Sequence, residues 1–127
     1  MLFKDFYTIE SITRIDDASI HVFIKLNKDH DVFNGHFPNN PVTPGVCMIQ
    51  ILKEITQTEV NKSLLIKNIS NVKFTALINP FINPTLLLEI NIIKENNIFK
   101  VKNISKFMDG TIALKCNATL SVNEELI

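Results

Sequence analysis

The chain has 127 residues, 46% of them hydrophobic, and its 13 basic and 13 acidic side chains give a formal net charge of zero. This length predicts one domain over residues 1–127, large enough to bury a hydrophobic core without disulfides. The balanced charge argues against a nucleic-acid partner, no apolar run is long enough to span a membrane, and the two cysteines, Cys47 and Cys116, provide neither a disulfide framework nor a metal cluster.

The N-terminal third of the chain predicts two strands. The first residues lack the basic start and apolar core of a signal peptide, so we expect a cytoplasmic protein. Residues 7–15 are typical of a strand that ends at a turn formed by Asp16 and Asp17. From Ala18 to Leu26, large aliphatic residues alternate with other residues, which is the period of a half-buried strand.

The rest of the chain predicts one helix followed by an antiparallel meander. The helix is expected from about Pro44 to Val60, with Thr43 as its N-cap and Pro44 at the first helical position, where the missing N–H costs nothing. Four strands follow, with turn signals at Glu95-Asn96-Asn97 and Asp109-Gly110; they are expected at Leu64–Phe74, Thr85–Lys94, Ile98–Phe107 and Thr111–Val122. A sheet of five to six strands cannot cover its own apolar face, so the helix should lie across it in an α+β fold.

The least generic segment is HFPNNPVTPGV, from His36 to Val46. Three prolines in seven residues make it stiff and extended, which fixes His36 relative to the N-terminus of the helix. An imidazole that exchanges protons near neutral pH would then lie close to the unpaired N–H groups of Gly45 and Val46, which suit an oxyanion. Since Gly45 has no side chain, a substrate can approach its N–H closely. The simpler alternative is that the prolines only shape a connection and His36 bonds a backbone carbonyl.

This segment resembles the signature of the 3-hydroxyacyl-acyl carrier protein dehydratases of the hot-dog fold. The order of the predicted elements agrees over nearly the whole chain, as does the Lys73-Phe74 pair before a proline-containing loop. The resemblance implies a long central helix wrapped by a curved antiparallel sheet. It also implies dehydration of 3-hydroxyacyl thioesters on acyl carrier protein, held as acyl-phosphopantetheine, to trans-2-enoyl thioesters in fatty-acid-type synthesis. No cofactor or metal is expected, and the expected assembly is a homodimer with a shared active site, or a higher oligomer.

The resemblance also implies roles for individual residues. His36 would be the base that removes the C2 proton, and the Gly45 N–H would bind the thioester carbonyl. Val46 and Phe37 would be further substrate-binding residues. In this family an acid on the central helix, contributed by the other subunit, helps the hydroxyl to depart, and it lies fourteen residues after the motif histidine.

The chain departs from the family at that acid, because the position fourteen residues after His36 is Gln50. The family commonly has an acid there and a glutamine one turn later, whereas here Gln50 comes first and Glu54 second. Residues i and i+4 share one helix face about 6 Å apart, so Glu54 can face the same cavity from one turn further along. We therefore expect His36, Glu54 and Gln50 at the catalytic site. The alternative is that Gln50, Glu54, Lys53 and Gln57 form an ordinary solvated stripe.

Other residues allow both a structural and a functional interpretation. Cys47 lies in the first helical turn, where it is either a nucleophile or a small packing residue. Phe33, Phe37 and Phe74 belong either to the core or to an acyl tunnel, and His21 and His30 are expected to be ordinary. Lysines at the mouth would suit an acidic carrier protein; the candidates are Lys53, Lys62 and Lys73. Two alternative functions stay open: a non-catalytic acyl-binding or partner subunit that lost its acid, and an acyl-thioesterase or isomerase.

Overall fold

The computed structural model describes residues 5–35 and 41–123, and these fold into six strands and two helices. The strands are β1 (Tyr7–Arg14), β2 (Ser19–Leu26), β3 (Leu64–Phe74), β4 (Thr85–Glu95), β5 (Ile98–Phe107) and β6 (Ile112–Val122), and the helices are α1 (Val32–Gly35) and α2 (Gly45–Val60). All six predicted strands and the long helix are confirmed, each within a residue of its expected ends. The single-turn helix α1 was not predicted, because four residues are too few to show a helical period.

All six strands form one antiparallel sheet in the order β1-β2-β4-β5-β6-β3. The chain leaves β2 through α2 and enters the sheet again at the opposite edge, in β3. The hairpin turns contain residues in the left-handed region, Asn96 with a φ of 58° and Gly110 with a φ of 91°, as the turn signals predicted.

Helix α2 packs on one face of this sheet. Its apolar side, formed by Met48, Ile51, Leu52 and Ile55, is buried in one cluster with alternate residues of β2, β4, β5 and β6. Both edge strands also reach the helix: Tyr7 and Arg14 of β1 bond its side chains, and the backbone N–H of Leu64 in β3 donates to its Gln57 Oε1 over 2.9 Å. The sheet therefore curves around α2, as expected for a hot-dog fold. Neither of the described helices is long and apolar enough to cross a bilayer.

The N-terminus of α2 differs from the prediction in its capping residue. Pro44, not Thr43, is the N-cap, in extended conformation and with no side-chain hydrogen bond to the first turn. Thr43 instead donates its backbone N–H to the carbonyl of Ile78 over 2.8 Å, and its side chain is only 3% exposed. The prediction that Thr43 caps the helix was wrong because the loop before β4 holds this residue.

Edge strand β1 contains a β-bulge that determines which of its side chains face the helix. Ile9 pairs with Ile24 and Ser11 pairs with Phe23, so Glu10 is the extra residue. Tyr7 and Arg14 are seven residues apart and would point to opposite faces of a regular strand. The extra residue of the bulge places both side chains on the same face of the strand, the core side. Tyr7 stands opposite Leu26, and Arg14 stands opposite Ile20.

Candidate active site

The two candidate helix residues form a hydrogen-bonded cluster with a tyrosine from β1. The Tyr7 hydroxyl donates to Glu54 Oε1 over 2.9 Å, and Gln50 Nε2 donates to Glu54 Oε2 over 3.1 Å. Gln50 and Glu54 are half-buried one turn apart on α2, so both point toward the same side of the helix. The structure therefore brings Gln50 and Glu54 together and holds the carboxylate through both of its oxygens.

This arrangement corrects the interpretation of the polar residues of α2 as an ordinary solvated stripe. Glu54 bonds a residue of β1, and Gln57 bonds the backbone of β3, so polar residues of the stripe connect the helix to the two edges of the sheet. Both residues are half-buried. Hydrogen bonds to charged groups contribute about 1.5–3 kcal/mol, so the Tyr7–Glu54 contact is a substantial one for a small domain.

The environment of Tyr7 raises the pKa of its hydroxyl well above the usual range. Burial is the largest cause, and the hydrogen bond to Glu54 and the negative charge of that carboxylate act in the same direction. Each of these effects disfavours the phenolate. Tyr7 therefore keeps its proton and remains a donor to Glu54 at any pH at which the domain is normally studied.

Gly45, at the other end of the site, lies against an aromatic ring. A Cβ built on Gly45 would lie 3.0 Å from both Cε2 and Cζ of Phe74, closer than nearly all real contacts. The missing side chain thus allows Phe74 to pack on the start of α2. Phe74 is 43% exposed, so it belongs to the rim of the site rather than to the core.

The first turn of α2 presents backbone donors beside this ring. The N–H groups of Gly45 and Val46 lie in the first turn, where an N–H has no acceptor carbonyl within the helix. The N-cap Pro44 provides no side-chain acceptor for them either. The Val46 side chain is 72% exposed. Whether Gly45 and Val46 bind substrate remains a prediction, but the structure leaves their end of the helix at the surface, next to Phe74.

Distances along α2 separate the two halves of the candidate site. Glu54 follows Gly45 by nine residues, which corresponds to about 13.5 Å along the axis. The hydroxyl of a 3-hydroxyacyl group is only two carbons from its thioester carbonyl. A thioester carbonyl bound at Gly45 would therefore lie more than two helical turns from the residue that carries this carboxylate.

The remaining predicted residues are placed as follows. His36 and Phe37 lie outside the described residues, so their predicted roles are not tested by the structure. Cys47 is buried, and burial raises the pKa of its thiol, which disfavours the thiolate that a nucleophile needs. Phe33 is in the core, stacked on Phe6 with ring centroids 5.7 Å apart. His30 packs edge-on against Phe6 and accepts the N–H of Val32 at Nδ1, which is a structural role.

Sequence reasoning missed Tyr7 as a site residue. Tyr7 is the first residue of the strand predicted over residues 7–15, and its partner Glu54 is 47 positions away. The one available signal was that Tyr7 is the single tyrosine of the chain, which says nothing about its contacts. Only the pairing of β1 with β2, and the bulge in it, bring the hydroxyl to Glu54.

A groove of about 690 Å³ opens beside Tyr7. Its walls come from the start of β1, the end of β2 and the loop before β4; they include Asp5, Tyr7, Lys25, Lys28, Asp29 and Phe81. Of the candidate site, only Tyr7 lines this groove. Among the described residues, no group of three or more histidine, cysteine, aspartate or glutamate side chains could hold a metal ion.

Comparison with known proteins agrees with this architecture. Residues 12–111 match the model of the ApeI-like family, described as ApeI dehydratase. The 3-hydroxyacyl-acyl carrier protein dehydratase FabZ of Halalkalibacterium halodurans is 30% identical over 117 residues, which cover 85% of this chain and 82% of that protein.

Two solved structures show the same fold. The dehydratase heterocomplex ApeI:P from Xenorhabdus doucetiae superposes with a TM-score of 0.72 at 23% identity, over 90% of this chain and 96% of that one. A hypothetical thioesterase with coenzyme A from Streptococcus pneumoniae superposes with a TM-score of 0.67 at 13% identity, over 94% and 89% of the two chains. The predicted hot-dog fold is confirmed, with a central helix of 16 residues.

Proposed function

The chain belongs to the ApeI-like dehydratase family, and from that premise we propose that it dehydrates 3-hydroxyacyl thioesters on acyl carrier protein to trans-2-enoyl thioesters. The observation that supports this proposal best is the half-buried carboxylate of Glu54, which Tyr7 and Gln50 hold on the helix that follows the His36–Val46 motif. The chain thus has a fixed acid on the family's central helix although the expected position holds a glutamine.

The reaction needs a base, a hydrogen-bond donor to the thioester carbonyl, and an acid. His36 removes the C2 proton, while the Gly45 N–H donates to the thioester oxygen and stabilises the negative charge that develops there. Glu54 enters the step in its protonated form and gives this proton to the hydroxyl at C3, while His36 holds the C2 proton and releases it to solvent afterwards. The C2–H and C3–O bonds break, the C2=C3 double bond forms, and water leaves. No electron is gained or lost, so this step requires only acid–base groups.

The geometry of α2 supports a site shared between two copies of the chain. Because about 13.5 Å of helix separate Gly45 from Glu54, we infer that the acid for a substrate bound at one Gly45 comes from the partner subunit. We expect the family's shared-site homodimer for this reason. A monomer with full activity would contradict it.

Edge strand β3 supplies a surface for such a dimer. It pairs with β6 on one side only among the described strands, and an open sheet edge is a template for pairing with another chain. It also exposes four large apolar side chains; they are Leu65, Ile66, Val72 and Phe74. Since Phe74 packs on Gly45, a second copy seated on β3 would cover the site that the single chain leaves open.

The opposite face of β3 supports an acidic carrier as the partner. Lys73 stands directly opposite Lys115 of β6, and both side chains are exposed. Like charges directly opposite each other in a sheet are destabilising, so an acidic surface that covers the pair would relieve the repulsion. Of the three candidate lysines, Lys73 is the one next to Phe74, whose ring packs on Gly45.

The test is an activity assay on the purified protein with 3-hydroxyacyl and trans-2-enoyl thioesters of several chain lengths. The proposal predicts reversible hydration in the wild type and its loss in His36→Ala and in Glu54→Gln. Loss of acid–base assistance typically costs about 10²–10⁴-fold. No turnover in either direction at any chain length would overturn the proposal. Release of free thiol would instead indicate thioesterase chemistry.

A second function, that of a catalytically degenerate partner subunit, is favoured by one specific observation. Both oxygens of Glu54 already accept hydrogen bonds within the chain, and the family position of the acid holds Gln50. The similarity to the ApeI:P heterocomplex is compatible with such a role. Activity that appears only after a second, acid-bearing hot-dog subunit is added would support this alternative.

A further inference from the structure

We propose that Tyr7 is a positioning residue for the acid of this site: its hydroxyl orients the Glu54 carboxylate, so that edge strand β1 belongs to the catalytic apparatus together with α2. The inference rests on the proposed dehydratase function, which gives Glu54 its task. It extends that function to a residue outside the motif and outside the helix.

The contacts of Glu54 support an orienting role. Its side chain has several rotatable bonds and is only half-buried, so packing alone does not fix the carboxylate. Tyr7 and Gln50 approach its two oxygens separately, over 2.9 and 3.1 Å, which sets the plane of the carboxylate as well as its position. Tyr7 comes from a different element of the fold, so this bond also fixes where the helix face stands relative to β1.

Several charged groups surround Tyr7, and Glu54 is the one that accepts the hydrogen bond from its hydroxyl. The groove that Tyr7 lines contains two carboxylates, Asp5 and Asp29, and two ammonium groups, Lys25 and Lys28. Their charges are balanced. Glu54 is the carboxylate that accepts the bond from the Tyr7 hydroxyl, so the titration of Tyr7 reports on this contact.

A second link between β1 and α2 makes a structural role distinguishable. Arg14 Nη2 donates to Glu59 Oε1 over 2.7 Å at the other end of the strand. Because of the bulge at Glu10, Arg14 and Tyr7 stand on the same side of β1. If Tyr7 only ties the edge strand to the helix, removal of the Arg14–Glu59 link should affect the enzyme in the same way.

The first experiment measures the contact without any substrate. Tyr7 is the single tyrosine and the chain has no tryptophan, so the near-ultraviolet absorbance of tyrosinate reports on this one hydroxyl. We expect ionisation above the ordinary value of about 10. Glu54→Gln should lower the midpoint, because the negative charge of the carboxylate disappears, whereas burial remains and the amide oxygen can still accept the hydrogen bond. Circular dichroism at each pH verifies that the protein is folded.

The second experiment measures catalysis in four variants. Tyr7→Phe should lower kcat about tenfold with KM changed less than twofold, since an acid that is out of place slows the chemical step. Tyr7→Phe combined with Glu54→Gln should be no slower than Glu54→Gln alone. The matched control, Glu59→Ala, removes the other link between strand and helix and should keep wild-type kcat.

The outcomes separate this inference from the proposed function. An active wild type with full activity in Tyr7→Phe, equal losses in Tyr7→Phe and Glu59→Ala, or a Tyr7 midpoint that Glu54→Gln does not move would each overturn the positioning role. Additive losses in the double variant would do the same, because Tyr7 would then act independently of Glu54. An inactive wild type overturns the proposed function and the catalytic role of Tyr7 with it, while the titration still decides whether the contact exists.

Discussion

Replacement of Gly45 by alanine distinguishes a packing role of this glycine from a role in binding the thioester. The added Cβ would lie 3.0 Å from two atoms of the Phe74 ring, so the ring must give way by a few tenths of an ångström. A ring displaced from its preferred rotamer costs about 0.5–1.5 kcal/mol. In compensation, alanine is favoured over glycine in a helix by up to about 1 kcal/mol. Because these two terms nearly cancel, we expect the free energy of unfolding to change by less than about 1 kcal/mol.

Catalysis should respond much more strongly than stability. The new methyl group and the displaced ring both occupy the approach to the Gly45 N–H, and the loss of one oxyanion donor costs about 10²–10³ in kcat. We expect a fall of at least tenfold in kcat/KM, measured by hydration of an enoyl thioester, with a denaturation midpoint close to that of the wild type. Gly45→Ala combined with Phe74→Leu provides the control, since the smaller side chain removes the clash but leaves the methyl group. Full activity in Gly45→Ala would refute binding of the thioester carbonyl at this N–H.

Three further predictions follow from the surface and the titratable groups. Lys73→Glu and Lys115→Glu should each raise KM for a substrate on acyl carrier protein and leave KM for the uncharged N-acetylcysteamine thioester unchanged. Equal effects on KM for both substrates would exclude docking of the carrier protein at these lysines. The pKa of Tyr7 is higher in the folded state, so as pH rises the unfolded chain loses this proton first. The free energy of unfolding, measured in urea, should therefore fall as pH rises above about 10 in the wild type but not in Tyr7→Phe. Since Cys47 is buried with a raised thiol pKa, Cys47→Ala should keep the wild-type rate and its pH profile; loss of activity without loss of stability would revive the nucleophile hypothesis.

The elements of the fold could be predicted from the sequence because they are encoded locally. Alternating aliphatic residues identify β2, and the Asp109-Gly110 pair identifies the last hairpin, where Gly110 has the positive φ that such a turn requires. The capping of α2 was mispredicted for the opposite reason. Thr43 is bound to Ile78, a residue 35 positions away, and no local pattern shows that contact.

The candidate site was predictable only in part for the same physical reason. The i, i+4 spacing placed Gln50 and Glu54 on one helix face, and the structure shows them bonded to each other. Tyr7 reaches Glu54 because β1 pairs with β2 and contains an extra residue at Glu10, a feature of register rather than of composition. The chemistry of the acid therefore depends on a long-range pairing that a single sequence does not show.

The exchange of the two helix residues, Gln50→Glu with Glu54→Gln, tests the position of the acid without removing the cluster. The Tyr7 hydroxyl can donate to the amide oxygen of the glutamine introduced at position 54, since that oxygen accepts as a carboxylate oxygen does. The amide nitrogen of the same side chain can then donate to the glutamate introduced at position 50. The exchanged protein can thus form the same two hydrogen bonds as the wild type. Only the bond between residues 50 and 54 changes direction, because residue 54 now donates and residue 50 accepts.

We therefore expect the exchanged protein to unfold within about 1 kcal/mol of the wild type, because the hydrogen bonds among Tyr7 and the two helix residues are kept. Its activity then reports where the acid stands, about 6 Å nearer the start of α2. If Glu54 is the working acid, the exchange should reduce kcat about as far as Glu54→Gln alone. A gain in activity over the wild type would show that Glu54 is misplaced for catalysis and that the natural chain lacks an acid in the family position. Unfolding of the exchanged protein at much lower urea concentration would contradict the reversed hydrogen-bond arrangement, because the polar side chains would then be left unpaired.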